Sequence, residues 1–134
     1  MAFIEDPYLQ TVADTGALFV DTKVRIKRGR PNECHRNAAR FWLKGQCVAI
    51  AIGYYLGPDY VWRQHSWGVM DNGTILDTHS AGRLYFGVRV ESMKAVKFAE
   101  DHLGEAEVLR FLERCPERFQ PIIDEARKAL TSAF

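Results

Sequence analysis

The chain has 134 residues, 47% of them hydrophobic and 26% charged, with a formal net charge of +1. That length supports one domain, residues 1–134, with a sizeable core but not two, and the near-neutral balance argues against general nucleic-acid binding. No apolar run approaches the roughly 20 residues that span a bilayer. The opening MAFIEDPYLQ lacks a basic segment followed by an apolar one, so the expectation is a cytoplasmic protein without a membrane partner.

In chain order, ALFVDTKVRIK at residues 17–27 ends in alternation. Val24 and Ile26 face one side and Lys23, Arg25 and Lys27 the other, the pattern of a strand with one wet face. With Arg28 and Arg30 these cations form a short basic run, and Gly29 and Pro31 break the chain within and after it. The run reads first as a solvated strand edge and loop. Its functional reading is a patch for an anionic partner beside Cys34.

NECHRNAARFWLKG reads as a helix, with Asn32 as N-cap, Glu33 in the first turn, Lys44 in the last and Gly45 as the stop. Cys34, Ala38, Phe41 and Trp42 share one face, which places Cys34 at the helix start near the buried side. CVAIAIGYYLG follows as a central strand from Cys47 to Tyr55, closed by a Gly57-Pro58-Asp59 turn. Residues 60–70 and 74–79 form a hairpin. RLYFGVRVE is a further strand, with Leu84, Phe86, Val88 and Val90 opposite Arg83, Tyr85 and Arg89. Helices are expected from Ser92 to His102, over 105–114 and over 116–131. Strands and helices segregate along the chain, so the expected class is α+β. The Cys34 helix packs on an antiparallel sheet and the C-terminal helices follow.

The hairpin carries the chemistry. A two-residue Asn72-Gly73 turn would send His65 and Asp77 to opposite faces. A three-residue Asp71-Asn72-Gly73 loop, with Gly73 in the left-handed conformation, shifts the register by one. Met70 then opposes Thr74, Trp67 opposes Asp77, and His65 opposes His79. His65, Trp67, Asp77 and His79 share a face, with Asp77 diagonal to His65.

A cysteine nucleophile acts as its thiolate, which a helix N-terminus and a nearby imidazole both stabilise, and the imidazole needs a third group to orient it. Cys34, His65 and Asp77 supply those parts in that order, and Trp67 is suited to shield the pair from water. Glu33, a carboxylate next to the thiol, works against it. Cys47 reads as core and Cys115 as a surface or helix-boundary thiol. The odd count and wide spacing of the three cysteines argue against a disulfide framework.

HSWGV…NGTILDTH resembles the transglutaminase-like branch of the papain-like cysteine enzyme superfamily. In that branch a His-x-Trp strand precedes a Gly-containing turn and a strand ending in Asp, and the nucleophilic cysteine opens an upstream helix. The resemblance spans roughly residues 31–80. It departs at Asn32-Glu33, where small residues are usual, and at Thr78, where a proline often follows the aspartate. It implies Cys34 as nucleophile, His65 as base and Asp77 as orienting acid.

An oxyanion hole would add a side-chain donor to a backbone N–H. Asn32 and Gln64 are the candidates, although alternation turns Gln64 away from His65. Trp67 and His79 are candidate substrate contacts, and His79 is an alternative base. His35 points away from Cys34, and His102 reads as a helix C-terminal charge. No paired-ligand spacing marks a metal site, and neither a Gly-x-Ser-x-Gly elbow nor a phosphate loop is present, so no cofactor is expected.

The expected function is acyl hydrolysis or transfer on an amide or isopeptide of a protein or peptide, through a thioester. The alternative is a non-catalytic, inhibitor-type protein-binding module on the same fold.

Overall fold

The computed structural model describes residues 12–20, 22–78 and 80–133. Its strands are β1 (Ala17–Leu18), β2 (Val24–Ile26), β3 (Ala49–Leu56), β4 (Trp62–Val69), β5 (Ile75–Asp77) and β6 (Leu84–Val90). Its helices are α1 (Cys34–Leu43), α2 (Ser92–Leu103), α3 (Glu105–Arg114) and α4 (Pro116–Ala133), and residues 12–15 are also helical. The class is α+β, built on a six-stranded sheet in the order β1-β6-β3-β4-β5-β2.

The sheet is mixed, which corrects the antiparallel expectation. β2 lies parallel to β5, with Val24 opposite Ile75 and Ile26 opposite Asp77, while the other neighbours are antiparallel. A parallel pair needs a long connection, and between β2 and β5 the chain inserts α1 and two strands. Side-chain alternation reports which face is wet but not which way the strand runs. The segment read as one strand over 17–27 is also two short strands at opposite edges of the sheet.

Apolar alternation divides the core in two. On one face Ile50, Ile52 and Leu76 pack under Ala38, Phe41 and Trp42 of α1 and Phe98 of α2. On the other, Ala49, Ala51, Trp67, Val69, Ile75 and Tyr85 form a second cluster. Small residues on β3 make room there for large rings on β4. Gly53 stands opposite both His65 and Gly87, and a Cβ at Gly53 would lie 2.0 Å from the Phe86 carbonyl oxygen. Arg118 of α4 ties the C-terminal helices to the site-bearing helix by donating to the Leu43 and Trp42 carbonyls at the end of α1, groups with no partner inside the helix.

Among the described residues no helix is long and apolar enough to cross a membrane.

Candidate functional site

The hairpin adopts the three-residue-loop register. Val69 opposes Ile75, Gly68 opposes Leu76, and the Met70 N–H donates to the Thr74 carbonyl at 2.8 Å. Gly73 has φ 85°, the left-handed conformation that the loop requires of it. Carried onward, this register sets His65 and Asp77 on one face, and His65 Nε2 meets Asp77 Oδ1 at 2.7 Å. Both side chains are buried, Asp77 to 1% exposure.

The β4–β5 pairing ends at Gly68 and Leu76, although β4 continues to Trp62. The edge of β4 beyond that point is where the start of α1 docks. Cys34, the first residue of α1, lies beside His65, close enough for the imidazole and the backbone N–H groups of Ser66 and His35 to act on its thiol. Because Asp77 occupies Nε2, the ring nitrogen left for the sulfur is Nδ1. The imidazole therefore has the carboxylate on one nitrogen and the thiol as neighbour to the other.

The electrostatics follow from this packing. Burial opposes ionisation of Cys34, but the hydrogen bond and charge of His65, helped by the two backbone N–H groups, hold the thiol below its ordinary value. Burial also opposes charge on His65, yet its bonds to Asp77 and Cys34 raise the imidazole to about 9. The resting pair is thus driven toward thiolate and imidazolium. Glu33 is drawn into an ion pair with Arg36 at 3.3 Å, which offsets its effect on the neighbouring thiol.

Aromatic rings enclose the imidazole. Trp67 stacks near it at 6.0 Å and 24°, and Tyr55 lies 4.2 Å from it, centroid to centroid. The buried Trp67 Nε1 has no hydrogen-bond partner among the described residues. Tyr85 Oη donates to Asp77 Oδ2 at 2.7 Å and accepts from the Gly82 N–H at 2.8 Å, and the Thr78 N–H donates to Asp77 Oδ1. Burial, then the Asp77 carboxylate, push the Tyr85 phenol well above its ordinary value, so it remains a donor.

Sequence reasoning missed Tyr55, Tyr85, Ser66 and His35. Tyr85 alternates with Arg83 and Arg89 and so looked solvent-facing, yet it is 3% exposed. No pattern along β6 marks it, because its burial comes from pairing across the sheet. His35 does not simply point away: its Nδ1 lies 2.5 Å from Ser66 Oγ.

Asn32 and Gln64 are both exposed. Asn32 does not cap the helix. It has φ 58°, and the N-cap is Glu33, with no side-chain cap bond. Pro31, just before it, shapes a turn there instead of a standard cap. Gln64 is exposed and leaves β4 on the face opposite His65. His79 lies outside the described residues.

The basic run sits at the site's margin. The Lys27 N–H donates to the Asp77 carbonyl at 2.8 Å, and Arg30 holds the Asn37 side chain of α1 through both its N–H and its carbonyl. Among the described residues no group of three or more His, Cys, Asp or Glu is placed to hold a metal.

No protein-family model, curated protein or solved structure matches this chain.

Proposed function

We propose that the protein is a cysteine-dependent acyl hydrolase or acyl transferase on a papain-like or transglutaminase-like core, acting on an amide or isopeptide of a protein or peptide. The observation that carries this reading is the line from the Cys34 thiol through His65 to the buried Asp77 carboxylate. A structural histidine in a sheet needs neither a thiol on one nitrogen nor a carboxylate on the other.

In this reading the Cys34 thiolate attacks the carbonyl carbon, and the carbonyl π electrons move onto oxygen. Collapse of the tetrahedral adduct breaks the C–N bond, the imidazolium of His65 protonates the leaving amine, and a thioester remains. Water or an acceptor amine, deprotonated by His65, then attacks the thioester and restores the thiol. Asp77 fixes the ring so that Nδ1 faces the sulfur throughout. The same triad serves hydrolysis and transfer, which differ in the acceptor admitted. Lys23, Arg25, Lys27, Arg28 and Arg30 are exposed and form no ion pair among the described residues, which supports an anionic character in the substrate or partner. A cytoplasmic setting would keep the three free cysteines reduced.

The test is site-mapped alkylation with iodoacetamide near neutral pH. Fast labelling of Cys34 that His65→Ala slows is the expected result. Slow labelling of Cys34 and Cys47, no faster than that of exposed Cys115, would instead favour a non-catalytic binding module.

A further inference from the structure

We infer that the hydrogen bond between His35 and Ser66 is the positioning contact that sets the Cys34 sulfur against His65. The inference rests on the acyl-transfer reading above and names the two residues that hold its geometry.

The reacting pair belongs to separate elements, the thiol to the first turn of α1 and the imidazole to β4. Their separation is therefore set by how helix and strand dock. Each reacting residue is followed by a residue that reaches across the same gap. His35 follows Cys34, Ser66 follows His65, and His35 Nδ1 and Ser66 Oγ approach to 2.5 Å. The backbone N–H groups of these same two residues both help hold the Cys34 thiol below its ordinary value. Two dipeptides, Cys34-His35 and His65-Ser66, are thus laced together by two side-chain contacts and by the backbone N–H of Ser66.

The two side-chain contacts straddle the strand. His65 leaves β4 toward Trp67 and Tyr85, whereas Ser66, the next residue, leaves it toward the helices. Core packing and the Arg118 contacts hold the body of α1; a contact on each face of β4 sets the position of its first turn. The His35 ring is itself held from α2, stacked on His102 at 4.9 Å and edge-on to Phe98 at 6.2 Å.

Ser66 is 2% exposed, so it does not serve as a substrate contact. Burying a hydroxyl carries a desolvation cost that an apolar residue of similar size would avoid. What the hydroxyl adds is direction: a hydrogen bond fails within a few tenths of an ångström, while apolar packing slides. Misplacement of a reacting group by about 1 Å is enough to cost roughly 100-fold in rate.

The experiment measures iodoacetamide labelling of Cys34 from pH 5 to 9, mapped by mass spectrometry, on folded full-length chains. Ser66→Ala and His35→Phe should keep the native circular dichroism, raise the thiolate midpoint by about one unit, and slow labelling at pH 6.5 roughly tenfold. His35→Asn, which can place a polar atom near the Nδ1 position, should restore most of the rate. A wild-type midpoint and rate in folded Ser66→Ala overturns the inference. Should that variant not fold, equal rates in His35→Phe and His35→Asn overturn it. If wild-type Cys34 labels no faster than Cys115 and His65→Ala changes nothing, the acyl-transfer reading fails and takes the inference with it. That outcome is separate from a fast wild type that ignores Ser66.

Discussion

Tyr85 Oη donates to Asp77 Oδ2, the carboxylate oxygen that His65 leaves unoccupied. A carboxylate 1% exposed needs such partners, because an unpaired buried charge is costly. Tyr85→Phe strips one donor from Asp77 and one acceptor from the Gly82 N–H. The expected cost is about 1–3 kcal/mol, read as a lower Tm and a lower denaturant midpoint with unchanged m. An unaltered midpoint would mean the phenol contributes nothing to holding the carboxylate.

Asp77→Asn preserves shape but presents a donor where His65 needs an acceptor. The ring then loses the partner that reserves Nδ1 for the sulfur. Cys34 should still be present and folded, but turnover on an activated amide or thioester substrate should fall by roughly 10²–10⁴-fold, the scale seen when a triad carboxylate is neutralised. His65→Ala should destabilise as well, by about 3–5 kcal/mol, since it leaves Asp77 buried without its imidazole. Urea titration of the two variants separates these effects.

Activity should trace a bell against pH. Its acid limb follows ionisation of Cys34, whose thiol is held below its ordinary value. Its alkaline limb follows loss of the His65 proton at about 9. The stability consequence has a definite sign. His65 is raised in the folded state, so its contribution is complete below the unfolded imidazole value of about 6.5 and is lost as pH rises through about 9. Cys34, lowered in the folded state, contributes with the opposite slope over the same window, so the His65 component is read in Cys34→Ala: its denaturation midpoints from pH 6 to 10 should fall, and those of Cys34→Ala with His65→Gln should not.

The basic run beside the site should bias which reagents reach the sulfur. A negatively charged methanethiosulfonate should modify Cys34 faster than a positively charged one. Added salt should narrow the difference, because screening acts over about 8 Å at physiological ionic strength. Arg28→Glu with Arg30→Glu should reverse the preference. Equal rates for the two reagents at low salt would remove the case for an anionic partner.

Gly53→Ala should be poorly tolerated. The added Cβ would press on the Phe86 carbonyl from a position between β3 and β6. A loss of about 1–3 kcal/mol or more is expected, as for an overpacked core, and thermal unfolding measures it. A neutral substitution would show that the two strands can part without cost.

Much of this was legible in the chain. Gly73 at the third loop position predicted the register, and the register put His65 and Asp77 together. The helix beginning at Cys34 was legible from its apolar face and from Gly45. What could not be read depended on pairing between distant segments. Alternation at 23–27 suits either edge and either direction, so the parallel β2–β5 contact was invisible. Tyr85 among arginines carried a surface pattern whose burial depends on β3 being narrow at Ala51 and Gly53. Helical geometry shows where His35 leaves α1 but not what β4 offers it.

β4 outruns β5: their ladder stops at Gly68 while β4 goes on to Trp62. The consequence is that the site occupies an unzipped seam. Were the ribbon to close by one more rung, the amide of Ser66 would be spent on a neighbouring strand and the helix would have nowhere to land. A sequence change that lengthened the hairpin's pairing could therefore silence the thiol without touching any residue of the triad, by making the sheet more regular.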